Sequence, residues 1–144
     1  FVLPGYNVRP LELSGALGIE QIKKLPMLIS ERRKNALLLQ AVMKDHPTLL
    51  IQKEVGESSW FGFSLVIRPG NKLTREELLV KLNESGFECR PIVAGNFAKS
   101  EVVKYFDSEV HGTLKNAEHI DQNGLFVGNH HYPIPDVFAA LAEL

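Results

Sequence analysis

Cysteine is almost missing from this chain: Cys89 stands alone among 144 residues. A lone thiol excludes an internal disulfide framework and any multi-cysteine metal or iron–sulfur site built from this sequence, and it makes a reducing cytoplasm the expected setting. Excess charge of either sign is also missing. Sixteen Lys+Arg stand against 17 Asp+Glu, a net charge of −1, so the broad basic surface that nonspecific nucleic-acid binding requires is absent and no nucleic-acid partner is expected. No apolar run approaches the roughly 18 residues of a membrane span, and the opening Phe1-Val2-Leu3-Pro4 has no basic n-region of a signal peptide, so no membrane partner is expected either. The chain does not begin with methionine, which suggests a fragment of a longer protein. Against these absences, 44% of the residues are hydrophobic, enough for one compact domain that buries about two-thirds of its unfolded surface without staples.

Pro4, Gly5 and Pro10 make residues 1–10 an extended loop, because proline fixes φ and biases its predecessor away from helix. Leu13, Ala16, Leu17, Ile22 and Leu25 then recur at three- and four-residue steps, which predicts a helix over 11–25 that Pro26 breaks or kinks. A stronger helix is predicted over 27–45, with Glu31-Arg32-Arg33-Lys34 solvated and Leu37, Leu38, Ala41 and Val42 as its apolar stripe; His46-Pro47 ends it. Beyond that point the periodicity changes. Residues 48–55 and 60–68 are rich in β-branched and aromatic types and flank the polar turn Gly56-Glu57-Ser58-Ser59, predicting two antiparallel strands. Thr74 with Glu77 three positions on predicts a capping box for a helix to Ser85, with Gly86 as its stop. A strand over 87–93, short helices around 101–106 and 114–122, a strand over 125–128 and a helix from Pro135 complete the expected order. This pattern predicts an α/β fold, a small sheet covered by helices on one side.

Two stretches carry candidate chemistry. Gly5-Tyr6-Asn7-Val8-Arg9-Pro10 offers an amide and a guanidinium on a rigid loop, the donors that a phosphate or carboxylate needs; the competing reading is a linker with a surface arginine. In Glu88-Cys89-Arg90-Pro91-Ile92-Val93-Ala94-Gly95-Asn96-Phe97, a strand would put Glu88 and Arg90 on one face and Cys89 on the other. Such a pair can clamp a polar ligand or be a plain edge-strand ion pair. His130-His131 lacks a third ligand at a suitable spacing and reads as a turn, so no metal is expected. Cys89 reads as a small buried hydrophobe, and Lys23 and Lys24 read as solvated helix positions. Residues taken singly lead to an anion site and no further.

Taken together, the segments resemble one family. Gly5-Tyr6-Asn7-Val8-Arg9-Pro10-Leu11-Glu12, followed by Ser14-Gly15-Ala16-Leu17-Gly18-Ile19-Glu20-Gln21 and Leu25-Pro26, resembles the loop and helices that follow the cofactor lysine in the sugar aminotransferase and dehydratase family of pyridoxal-phosphate enzymes. Within that family, Glu57-Ser58-Ser59-Trp60-Phe61-Gly62-Phe63, the stretch from Glu88 to Phe97, and Gly124-Leu125-Phe126-Val127-Gly128-Asn129-His130 are similar to the 3-dehydratase branch that acts on GDP-4-keto-6-deoxymannose. The resemblance covers nearly the whole chain and weakens after His131.

The resemblance implies an aspartate-aminotransferase-like fold (PLP fold type I), of which this chain is the C-terminal small domain with the helices leading into it. Residues 1–10 become an interface and cofactor loop, 11–46 linking helices, and 47–144 the α/β small domain with its mostly antiparallel sheet. It also implies pyridoxal 5'-phosphate or pyridoxamine 5'-phosphate in the parent enzyme, and a homodimer whose active sites lie between subunits. Asn7 would reach the cofactor phosphate of the other subunit, with Arg9 beside it, while Glu88, Arg90, Asn96 and Phe97 would face the nucleotide-sugar substrate or glutamate. The implied reaction is loss of the C3 hydroxyl from a 4-keto sugar, with the cofactor as electron sink and glutamate restoring its amine form, in deoxysugar and lipopolysaccharide O-antigen biosynthesis. The residue that separates the branches, histidine in dehydratases and lysine in aminotransferases, would fall before Phe1. This chain is therefore expected to carry no catalytic base and to be inactive by itself. An aminotransferase of the same architecture stays open, as does, from another class, a noncatalytic binding or regulatory module.

Overall fold

The computed structural model describes residues 4–5 and 11–144. Two helices lead, α1 (Glu12–Ile22) and α2 (Leu25–Met43). Pro26 sits in the first turn of α2, where its missing N–H is one that the helix leaves unbonded in any case, so the expected break is a helix start. None of the residues of α1 is buried, and its apolar row of Leu13, Leu17 and Ile22 is open.

The inward face of α2 differs from the expected stripe. Asn35, Ala36, Leu39 and Met43 are buried, whereas Leu37 and Leu38 are 66% and 50% exposed. Both rows satisfy helical spacing, and packing against the sheet and the last helix selects the one that excludes Leu37 and Leu38. The expected solvated run is also half-buried at Arg32 and Arg33. Arg33 donates to the Ser58 carbonyl at 2.7 Å and pairs with Glu54 at 3.4 Å, holding the turn before the second strand against α2.

Four strands, β1 (Leu49–Ile51), β2 (Gly62–Ile67), β3 (Cys89–Arg90) and β4 (Gly124–Gly128), form an antiparallel sheet in the order β1-β2-β4-β3. Alternation puts Leu49, Phe63, Leu65, Ile67, Leu125 and Val127 into the core, where they meet Leu39 of α2. Leu78 and Leu82 of α3 (Arg75–Glu84), and Phe138 and Leu141 of α5 (Pro135–Ala142), complete the cluster. Between these last two helices in sequence lie two short 3-10 turns, at Phe97–Lys99 and Glu101–Tyr105, and α4 (Lys115–Asn123). The expected capping box opens α3: Glu77 N–H donates to Thr74 Oγ1 at 3.2 Å and Thr74 N–H to Glu77 Oε2 at 2.8 Å.

Two strands are shorter than their β-propensity suggests. After Ile51 the Gln52 side chain replaces the backbone ladder, donating to the Gly62 carbonyl at 2.9 Å and accepting from Ser64 N–H at 2.7 Å. After Arg90, Pro91 offers no N–H, and Val93 and Gly95 adopt left-handed φ of 47° and 60°, so the chain leaves the sheet as a loop. No helix among the described residues is long and apolar enough to cross a membrane.

Candidate substrate groove

The end of the sheet where β2, β4 and β3 lie side by side carries a groove of roughly 370 Å³. Phe61, Phe87, Glu88, Arg90, Phe126 and His130 are among its lining residues. Pairing of Arg90 with Phe126 across β3 and β4 sets the guanidinium-bearing residue beside an aromatic ring. That ring reaches across to Phe61, with centroids 6.1 Å apart and planes at 24°. Gly62 makes this possible, because a Cβ there would stand 2.2 Å from Phe126 Cζ and 2.6 Å from the Val127 carbonyl oxygen. The Arg32 guanidinium lies 5.5 Å from the Phe61 centroid and adds a cation to the stack.

At the rim, Arg90 Nη2 donates to Glu88 Oε1 at 2.9 Å, with the side chains 75% and 82% exposed. An ion pair this open stabilises little. Its groups stay available, a planar fork for anionic oxygens and a carboxylate for N–H or O–H donors, beside an aromatic face that can hold a flat ring. Cys89 is half-buried, and burial pushes its thiol pKa up, which disfavours a nucleophilic thiolate. His130 and His131 are exposed and both rest on Tyr132, at 4.6 Å and 5.5 Å between centroids. Among the described residues no group of three His, Cys, Asp or Glu is placed to hold a metal ion.

The remaining candidates lie elsewhere. Asn96 is 8% exposed and lines a second cleft of about 460 Å³ with Arg75, Pro91, Val93, Lys99 and Asp121. Its Nδ2 donates to Glu118 Oε2 at 3.2 Å. Lys99 also binds Glu118 and stands 4.0 Å from Asp121, and the hydrogen bonds from Lys99 and Asn96 hold the Glu118 carboxyl below its usual range. Phe97, 47% exposed, opens the 3-10 turn that follows. The structure thus brings Glu88 and Arg90 into one groove and places Asn96 in another. Asn7 and Arg9 lie outside the described residues.

The profile of the DegT/DnrJ/EryC1/StrS aminotransferase family matches residues 2–133. The chain belongs to this family. Its similarity to one set of enzymes is high: GDP-4-keto-6-deoxy-D-mannose 3-dehydratase of Yersinia pseudotuberculosis is 60% identical over 131 residues, covering 90% of this chain and 33% of that protein. The solved structure of the Escherichia coli GDP-4-keto-6-deoxy-D-mannose-3-dehydratase with bound hydrated PLP is 58% identical with a TM-score of 0.89, covering 99% of this chain and 37% of that one. A mutant of GDP-4-keto-6-deoxymannose-3-dehydratase with bound GDP-perosamine matches at 58% identity and a TM-score of 0.88, covering 99% of this chain and 37% of that one. The chain therefore spans about a third of the length of the relatives it matches. Its fold is that of a piece of a PLP fold type I, aminotransferase-like enzyme, as the resemblance implied.

Within this family frame, sequence reasoning singled out Glu88 and Arg90 but not Phe61, Phe126 or Arg32 as one surface. One signal was available. Trp60-Phe61-Gly62-Phe63 places large aromatics on both sides of a glycine, which marks a close approach in a strand. The approach itself depends on cross-strand pairing, which no local pattern gives.

Proposed function

We propose that this chain is the C-terminal part of a nucleotide-sugar 3-dehydratase dependent on pyridoxal or pyridoxamine phosphate, and that it supplies the substrate-facing wall of the site. The observation that carries the reading is 58–60% identity, along 90% or more of the chain, to enzymes named GDP-4-keto-6-deoxy-D-mannose 3-dehydratase. The groove is suited to such a substrate. Arg90 donates to the diphosphate oxygens, Glu88 accepts from N–H or O–H donors, and the Phe61–Phe126 face excludes water from one side of the ligand. Phe97 is assigned to the substrate side of the loop, and Asn96 to holding that loop on α4 through Glu118.

A carboxamide and a guanidinium are donors fitted to a phosphate, so Asn7 and Arg9 are assigned to the phosphate end of the cofactor, from across a homodimer interface. When bound, that cofactor supplies an electron sink for loss of the C3 hydroxyl. Residues 1–10 form the interface loop, 11–46 the linking helices and 47–144 the small domain. The uncovered apolar row of α1 fits a helix that packs on other parts of the parent protein. Glutamate is the assigned amine donor, deoxysugar and lipopolysaccharide synthesis the setting, and the cytoplasm the compartment consistent with an unpaired Cys89.

A second reading, an aminotransferase, is favoured by the family's own description. The parent protein incubated with glutamate and GDP-4-keto-6-deoxymannose separates the two. A 3-deoxy sugar, 2-oxoglutarate and ammonia are expected; a stable 4-amino sugar that retains its C3 oxygen overturns the dehydratase. Failure of the parent protein to bind the cofactor would leave a binding module instead.

A further inference from the structure

Two buried asparagines tie together segments that are distant in sequence. Asn35 of α2 is 2% exposed and Asn129, just past β4, is 6% exposed. Asn35 Nδ2 donates to Asn129 Oδ1 at 3.2 Å, to the His130 carbonyl at 3.0 Å and to the Tyr132 carbonyl at 2.8 Å, three acceptors shared by two N–H groups. Asn129 Nδ2 donates to the carbonyls of Arg32 at 3.0 Å and Trp60 at 2.8 Å, and its backbone N–H donates to the Phe61 carbonyl at 3.2 Å. The backbone acceptors belong to the groove or its supports: Phe61 and His130 line it, Arg32 covers Phe61, and Trp60 and Tyr132 adjoin them.

Burying two amides next to an apolar core is costly unless all are bonded, and leucine or alanine would fill the space without directional demands. What the amides add is direction. Trp60 shows why direction matters: its φ of 51° is left-handed, a costly conformation for a bulky residue that persists only where the surroundings over-determine it. The residue is 3% exposed in the core, its backbone N–H donates to Ser58 Oγ at 2.9 Å, and Asn129 holds its carbonyl. This turn buries Trp60 and sends the next side chain, Phe61, outward at 68% exposure into the groove.

We infer that the Asn35–Asn129 pair is a positioning device for the groove, setting Phe61 and His130 against Glu88 and Arg90 so that the ligand meets a preformed wall. The inference rests on the groove being the substrate face. Both asparagines act through other residues and touch no ligand themselves.

The test is a double-mutant cycle in the parent enzyme, with GDP as the probe and dissociation constants read by calorimetry. Phe61→Ala and Asn129→Ala should each weaken GDP binding by about tenfold, and the double variant should be no weaker than the worse single one, because both remove the same placement. For Asn129→Ala, turnover at saturating nucleotide sugar should stay within about threefold of the parent, a split between KM and kcat that general loss of stability would not give. Should Asn129→Ala fail to fold, Asn35→Ser carries the same cycle with the same expectation. A lowered melting temperature with unchanged GDP affinity, or effects that multiply in the double variant, overturns the inference. If Phe61→Ala, Glu88→Gln and Arg90→Ala all leave GDP binding unchanged, the groove is not the substrate face, a failure distinct from weakening by those three and none by Asn129→Ala.

Discussion

The groove beside β3 and the cleft behind the 91–99 loop are about the same size and both carry charge, yet they use their side chains in opposite ways. In the groove, the backbone is held by buried asparagines while Glu88 and Arg90 stand open to solvent. In the second cleft, Lys99, Glu118, Asp121 and Asn96 are spent on one another, and what they hold is the loop. Polar groups whose partners are buried or lie in the backbone fix geometry, whereas an ion pair as open as Glu88–Arg90 keeps hydrogen-bonding capacity free for a ligand. Arg90 and Lys99 are only nine residues apart, so this difference comes from neighbours in space.

The largest expected effects come from the glycine on which each region depends. Gly62→Ala should destabilise by about 3 kcal/mol in urea unfolding, since its Cβ meets a ring and a carbonyl that the sheet register holds in place. Gly95→Ala should cost less, about 1 to 2 kcal/mol, because its obstacles are a left-handed φ of 60° and the movable Asp121 carboxylate. Equal losses would show that the two regions are equally rigid and would erase the comparison.

Next in size, if the proposed function holds, Arg90→Ala and Arg90→Lys in the parent enzyme should both raise the KM for the nucleotide sugar by about tenfold with little change in melting temperature, because even lysine, which keeps the charge, loses the fork. Lys99→Ala should do the reverse, leaving KM unchanged while loosening the loop, which limited proteolysis near residue 95 would detect. Unchanged kinetics for both Arg90 variants would return Glu88 and Arg90 to an ordinary surface pair.

The smallest effect is a pH dependence located in neither region. His46 accepts the N–H groups of Thr48 and Leu49 at Nδ1, 3.2 Å and 3.1 Å away, and burial, partly offset by a backbone hydrogen bond at Leu141 and aided by the Arg68 charge, pushes its pKa below the usual value. The unfolded chain therefore takes up the proton first. Stability from this residue is complete above about pH 6.5 and is lost as pH falls through the folded pKa. Melting temperature should drop on going from pH 7.5 to pH 5.5, and His46→Asn should flatten that slope; an unchanged slope would assign the acid sensitivity to other groups.

Local signals determined much of this protein by themselves. The capping box of α3 needs only Thr74 and Glu77, and the helix of α1 only its three- and four-residue steps, whereas the third strand, expected over 87–93, stops at Arg90 where Pro91 breaks the ladder. The family was also readable, because its motifs are contiguous runs of residues. Which row of α2 turns inward was not, since Leu37 and Leu38 have the right spacing and the packing of Leu39 and Met43 against the sheet overrules it. The site divided in the same way. Glu88 and Arg90 were visible as a charged pair on a strand, while Phe61 meeting Phe126, and Asn35 meeting Asn129 across 94 positions, arise only when the sheet closes. A hydrogen bond or ring contact between distant residues has no period in the sequence, so only the tertiary structure decided the shape of the groove.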